Sequence, residues 1–122
     1  NGDIASHADA IAALSASGAD AVMVGRATYG RPWVPGSIAA EAGFAGASVS
    51  APDDLADYVV AHYEDMLSHY GRDGGLRHAR KHLGWYMDEA ATPPDLRRRV
   101  LTALPQEVAR LLPEALGLRC AA

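Results

Sequence analysis

The chain has 122 residues, 49% of them apolar and 21% charged, with a net charge of −4 and a single cysteine. This is enough for one small domain or a piece of a larger one, with the composition of an ordinary soluble globular protein. Its apolar runs fall far short of the roughly 20 residues a membrane span needs, no basic-then-apolar leader opens it, and the unpartnered Cys120 supports neither a disulfide framework nor a cysteine-based zinc site, so a cytoplasmic protein is expected.

"NGDI" opens the chain with a turn-type Asn-Gly and no preceding element. Ser6, with Asp9 three residues on, makes a variant capping box, so a helix is expected to run to about Ser17 and stop at Gly18. Ala19–Val24, "ADAVMV", is too short for a helix and rich in valine, which predicts a buried parallel strand. A lone parallel strand leaves its backbone groups unpaired. The first 40 residues therefore read as the end of a larger α/β domain.

From Gly36 to Pro52 the composition turns to Gly, Ala and Ser, which reads as a linker or a loose loop. Helices are expected throughout the rest. Pro52-Asp53 starts one whose Leu55, Tyr58, Val59, His62, Met66, Leu67 and Tyr70 recur at helical spacing, and Gly71 ends it. "GRDGG" reads as a turn. Leu76, Ala79, Leu83, Tyr86 and Met87 line a second helix. "TPPD" breaks it and starts a third, carrying Leu96, Val100, Leu101 and Leu104. Pro105 starts a fourth, with Val108, Leu111, Leu112 and Leu116. Together they predict an all-α four-helix bundle over residues 50–122.

Charge is unevenly spread. Residues 1–70 carry nine acidic and two basic side chains, whereas residues 71–99 carry seven basic and four acidic. Within the second helix, "RHARKHLGWY" places Arg77 and Lys81 four apart on one face, with Arg80 widening it. A run of this kind is ordinarily a solvated face; clustered positive charge is also what phosphate contacts require. Arg97–Arg99 is a weaker candidate, because a helix spreads three consecutive residues over different faces. Trp85 and Tyr86 are expected in the core rather than on a base. His78 and His82 have the spacing of a helical metal pair, but no glutamate lies between them and no third ligand is evident, so no metal site is expected.

The stretch "GADAVMVGRATYGRPW", Gly18 to Trp33, ends its apolar run in Gly25-Arg26. A glycine after a strand is commonly just a turn. In α/β folds, however, ligands sit at the carboxyl ends of strands, where a glycine admits a phosphate to the backbone and an arginine grips it.

"NGDI", "GADAVMVGRATYGRPW" and "HYGRDGGLRHARKHLGWY" together resemble the carboxyl-terminal third of bacterial tRNA-dihydrouridine synthases, closest to the B-type branch. The likeness covers Asn1 to about Tyr86. It implies the end of an FMN-binding TIM (β/α)8 barrel over residues 1–40, followed by a helical tRNA-binding domain. It further implies reduction of the C5–C6 bond of uridines in tRNA with NADPH as reductant. Asn1, Gly2, Asp3, Gly25 and Arg26 would meet the FMN phosphate, and Arg77, Arg80 and Lys81 would meet tRNA. The family's catalytic cysteine lies upstream of the "NGD" motif, so no catalytic residue is assigned and these residues alone are expected to be inactive. A monomer is expected. The rival readings are the tail of another FMN-dependent barrel reductase and a free-standing helical interaction module. The first lacks a reason for the Arg-Lys-His-x-x-Trp-Tyr helix, and the second a reason for the orphan strand.

Overall fold

A computed structural model describes residues 1–44, 46 and 51–117. Among them the chain is mainly helical and divides into two compact units between Ala51 and Pro52. Cys120 and part of the Gly36–Pro52 stretch lie outside the described residues.

In the first unit, α1 spans His7–Ser17. The Ser6 hydroxyl accepts from the Asp9 N–H at 3.1 Å, and the Asp9 carboxylate accepts from the Ala5 N–H at 3.1 Å. Gly18 closes the helix in the left-handed region, φ 67°, where a side chain would be strained. The capping residues read from the sequence therefore act as expected.

The strand does not form. Residues 19–24 have no regular secondary structure, with a bend at Asp20, and among the described residues there is no strand at all. The physical reason is the one the lone run already raises: a strand needs a neighbour to take its N–H and C=O groups. Val22 and Val24 instead pack on a small core of Ile4, Ala10, Val34 and Ile38. Met23, pointing the other way, is 64% exposed.

The expected linker is also partly helical. α2 spans Val34–Glu41, with Pro35 in its first turn and Val34 and Ile38 buried one helical turn apart. Proline preset for a first turn and two apolar residues at i, i+4 outweigh the Gly-Ser composition. Between α1 and α2 a short 3-10 turn covers Arg26–Thr28.

The second unit holds α3 (Leu55–Tyr70), α4 (Arg72–Glu89), α5 (Pro94–Thr102) and α6 (Pro105–Ala115). Asp54, rather than Asp53, caps α3, accepting from the Asp57 N–H at 2.9 Å. Helix α4 packs on α3 and α5, and α6 packs on α5 and α3. Val59, Leu83, Tyr86, Met87, Val100 and Leu112 form the most buried part of the core. The "GRDGG" turn is in fact the first turn of α4. Gly71 alone joins α3 to α4, at φ 74°, and Gly75 lets the two helices approach. Four apolar positions are less buried than expected: Tyr58, Tyr70 and Leu104 stay exposed, and Trp85 is only half-buried, unlike its neighbour Tyr86.

Candidate functional site

The turn at Asn1–Asp3 and the turn at Gly25–Arg26 meet, although 23 residues separate Asp3 from Arg26. The Arg26 guanidinium donates through Nη2 to the Asp3 carboxylate. Both side chains are about three-quarters exposed, 74% and 76%. Asp3 reaches its partner from a left-handed backbone, φ 49°, which aspartate tolerates better than most residues. The Gly25 carbonyl accepts from the Thr28 N–H at 3.0 Å and from the Thr28 hydroxyl at 2.8 Å, which fixes the turn behind the arginine.

Around this pair lies an open depression of about 360 Å³ lined by Asn1, Gly2, Asp3, Met23, Gly25 and Arg26. A Cβ on Gly2 or Gly25 would meet nothing within 4 Å, so the backbone there is bare to an incoming group. A guanidinium carries five N–H donors, and one bond to Asp3 leaves most of them available. The lining carries one guanidinium paired with one carboxylate. The five residues singled out in the sequence thus line one surface; Met23 is the lining residue that sequence reasoning missed, since it reads only as part of an apolar run.

On the second unit, Arg77, Arg80 and Lys81 are all exposed on α4. None of the three enters an ion pair among the described residues. The Arg97–Arg99 run is different. Arg97 donates through Nε to Asp88 at 3.1 Å, and Arg98 through Nη2 to Asp95 at 3.0 Å. Arg99 lines a depression of about 450 Å³ with Thr102, Ala103, Glu107, Arg110 and Leu111.

The four histidines of the second unit sit in ring contacts. His62 Nδ1 lies 2.9 Å from the Tyr86 hydroxyl, and the His62 and His82 rings meet edge-on at 5.0 Å. His82 contacts Trp85 at 5.0 Å, and His78 stacks on Tyr70 at 4.4 Å. Burial lowers the pKa of His62, partly countered by Asp65, and burial lowers that of His82, helped by His62 and His78. Burial pushes the Tyr86 hydroxyl well above the ordinary phenol range, with Tyr58 adding to it. Among the described residues no group of three or more His, Cys, Asp or Glu could hold a metal ion. Nor is any helix there long and apolar enough to cross a membrane.

Comparison with known proteins covers both units. A family model described as dihydrouridine synthase matches residues 1–115. A probable tRNA-dihydrouridine synthase of Rhodobacter capsulatus is 52% identical over 94 residues, covering 76% of this chain and 29% of that protein. A probable tRNA-dihydrouridine synthase of Rhizobium leguminosarum bv. phaseoli is 48% identical over 91 residues, covering 75% of this chain and 27% of the relative. The tRNA-dihydrouridine synthase B of Xanthomonas axonopodis pv. citri is 44% identical over 100 residues, 80% of this chain and 30% of the relative. The chain therefore spans less than a third of the length of these relatives.

Proposed function

The chain belongs to the dihydrouridine synthase family, and from that premise we propose that it serves as the carboxyl-terminal part of a flavin-dependent tRNA-dihydrouridine synthase. In this reading residues 1–40 complete a TIM (β/α)8 barrel, and residues 50–122 form a helical bundle that holds tRNA. The reaction is reduction of the C5–C6 bond of uridine in tRNA, in a cytoplasmic, monomeric enzyme. The observation that carries the reading is a family match running through both units, residues 1–115.

The residues at the first depression fit the phosphate of FMN. Arg26 offers guanidinium donors, the bare backbone at Gly2 and Gly25 leaves room for close approach, and Asp3 holds the arginine from one side. Bound, FMN supplies the hydride chemistry, with NADPH as the source of electrons. The part of these residues is to bind and orient: Asn1, Gly2, Asp3, Gly25 and Arg26 anchor the phosphate end. Arg77, Arg80 and Lys81 supply sequence-independent contacts to the tRNA backbone. No catalytic residue is assigned within the chain.

A chimera tests the reading. Residues 1–122 replace the matching segment of the Rhodobacter capsulatus relative, and the product is incubated with unmodified tRNA transcript, FMN and NADPH. Dihydrouridine, read by mass spectrometry of digested tRNA, is the expected product, and Arg26→Ala in the chimera should weaken FMN retention. A chimera that folds and holds FMN yet leaves every uridine unreduced would overturn the reading.

A further inference from the structure

The basic face of α4 does not end at Lys81. At about 100° per residue, Arg77, Lys81, Gly84 and Asp88 fall within about 60° of one another on the helix, with Arg80 about 60° to one side of Arg77. Gly84 is buried, although it lies on this otherwise polar side. What covers it is Arg97 of α5. A Cβ on Gly84 would stand 3.0 Å from Arg97 Nη2 and 3.8 Å from its Cζ, so the guanidinium rests where that side chain would be. Asp88, one turn further along the same face, accepts from Arg97 Nε at 3.1 Å. That bond fixes the plane of the guanidinium while leaving both terminal nitrogens uncommitted to the carboxylate. The Arg97 side chain keeps 38% of its surface exposed.

We propose that Arg97, seated in the notch at Gly84 and oriented by Asp88, is the fourth cation of an RNA-facing surface that runs from α4 onto α5. Its partner is the phosphodiester backbone of RNA, and the proposal rests on the reading that Arg77, Arg80 and Lys81 face tRNA. Along the axis of α4 the charges stand at Arg77, about 4.5 Å on at Arg80, about 6 Å on at Lys81 and about 10 Å on at the Gly84 notch. A nucleic-acid strand carries a charge about every 3.4 Å of its axis, so a row of this pitch meets successive phosphates. Arg97 differs from the other three in being held in place before RNA arrives. A pre-positioned guanidinium loses less freedom on binding than a solvated one.

Gly84 makes the proposal testable without removing a charge. Binding of unmodified tRNA transcript to the 122-residue chain is measured across a salt series for the wild type, Arg97→Gln, Gly84→Ala, their combination and Lys81→Ala, with thermal melts on each. Arg97→Gln removes the charge but keeps an amide that can still donate to Asp88, and the thermal melt reads what the tie between the helices loses. The expected result is a log–log salt slope smaller by just under one for Arg97→Gln. Gly84→Ala should weaken binding although every charge remains, and the double variant should bind no worse than Arg97→Gln alone, because both act through one group. If Lys81→Ala weakens binding while Arg97→Gln and Gly84→Ala leave affinity and slope unchanged, Arg97 is only a tie between α4 and α5 and the proposal fails. If Lys81→Ala is also without effect, the reading of α4 as an RNA face fails with it. Should Gly84→Ala lower the melting temperature below the assay range, Arg97→Gln against wild type decides the matter alone.

Discussion

A Cβ placed on Gly75 of α4 would stand 2.7 Å from the Cα of Leu67 and 2.8 Å from the carbonyl oxygen of Met66, both in the backbone of α3. Backbone cannot swing aside as the end of a side chain can, so the two helices approach this closely only because Gly75 has no side chain. Gly75→Ala should destabilise the helical unit by about 1–3 kcal/mol, the cost of overpacking. Its neighbour Gly74 has only Tyr70 Cβ at 3.6 Å, an ordinary contact. Gly74→Ala should therefore be neutral or stabilising by up to about 1 kcal/mol through helix propensity. Urea melts of the two single variants should show a loss for Gly75→Ala and none for Gly74→Ala; equal losses would contradict the helix contact.

Two buried tyrosines on facing helices invite opposite outcomes from the same change. Tyr63 is 4% exposed and its hydroxyl has no hydrogen-bond partner among the described residues. Tyr86 is 2% exposed and its hydroxyl pairs with His62. Removing an unsatisfied buried hydroxyl costs nothing in lost bonding, whereas removing a satisfied one orphans its partner. Tyr63→Phe should raise stability or leave it unchanged, and Tyr86→Phe should lower it by about 1 kcal/mol. Chemical melts of both variants check this, and equal losses would show that Tyr63 has a partner.

Stability of the helical unit should fall on mild acidification. His62 and His82 both have pKa values lowered chiefly by burial; Asp65 partly counters the shift at His62, while His62, 5.0 Å away, and His78 add to that at His82. A histidine depressed in the folded state binds protons more readily when unfolded, so stability rises with pH through its titration range. The contribution is fully present above the unfolded value of about 6.5 and is lost as pH falls through the lower folded value. The melting temperature should drop between pH 7 and pH 5, and His82→Asn should flatten that drop. A melting temperature that rises on acidification would contradict the assignment.

The sequence carried the helix boundaries wherever a cap residue or a glycine enforced them, as at Ser6, Gly18 and Gly71. It misled where composition and local geometry disagree: the Gly-Ser stretch after Trp33 hid α2, because Pro35, Val34 and Ile38 together outweigh Gly36 and Ser37. "GRDGG" hid the start of α4 for the opposite reason, since its glycines serve a helix contact rather than a turn. The residues lining the first depression were readable as two motifs, Asn1-Gly2-Asp3 and Gly25-Arg26. The Asp3–Arg26 pair that joins them was not, because it depends on how the chain folds back over 23 residues. Arg97 was legible only within the weaker Arg97–Arg99 run; its seat over Gly84 and beside Asp88 was not, because nothing local ties it to either.

Backbone protection should differ between the stretch 19–24 and α4. Val22 lies in a segment without regular secondary structure, whereas Leu83 is buried in the middle of an 18-residue helix. Amide exchange follows local opening, and an amide outside any regular hydrogen bonding opens most easily. The Val22 amide should exchange much faster than that of Leu83. Equal protection would show that residues 19–24 have found a strand partner, such as a second copy of the same segment.

The exposed cluster on α4 should affect RNA binding without affecting folding. Arg80 and Lys81 are exposed, no ion pair among the described residues holds them, and the core side of α4 is built from Ala79, Leu83, Tyr86 and Met87 instead. The Arg80→Ala/Lys81→Ala double variant should therefore keep its helical circular dichroism and melt within about 0.5 kcal/mol of the wild type. The three contacts from α4 to a duplex-like region give a salt slope of about −2 to −3 by themselves, and the double variant should lose two of those three contributions. The loss should be similar for every tRNA tested, since backbone contacts position the nucleic acid without reading its sequence. Binding that weakens for one tRNA and not for another would point to base contacts, with half-buried Trp85 on the same helix as the first residue to replace. A double variant that stays helical and binds all tRNAs with unchanged affinity and slope would make this side of α4 a solvated face and nothing more.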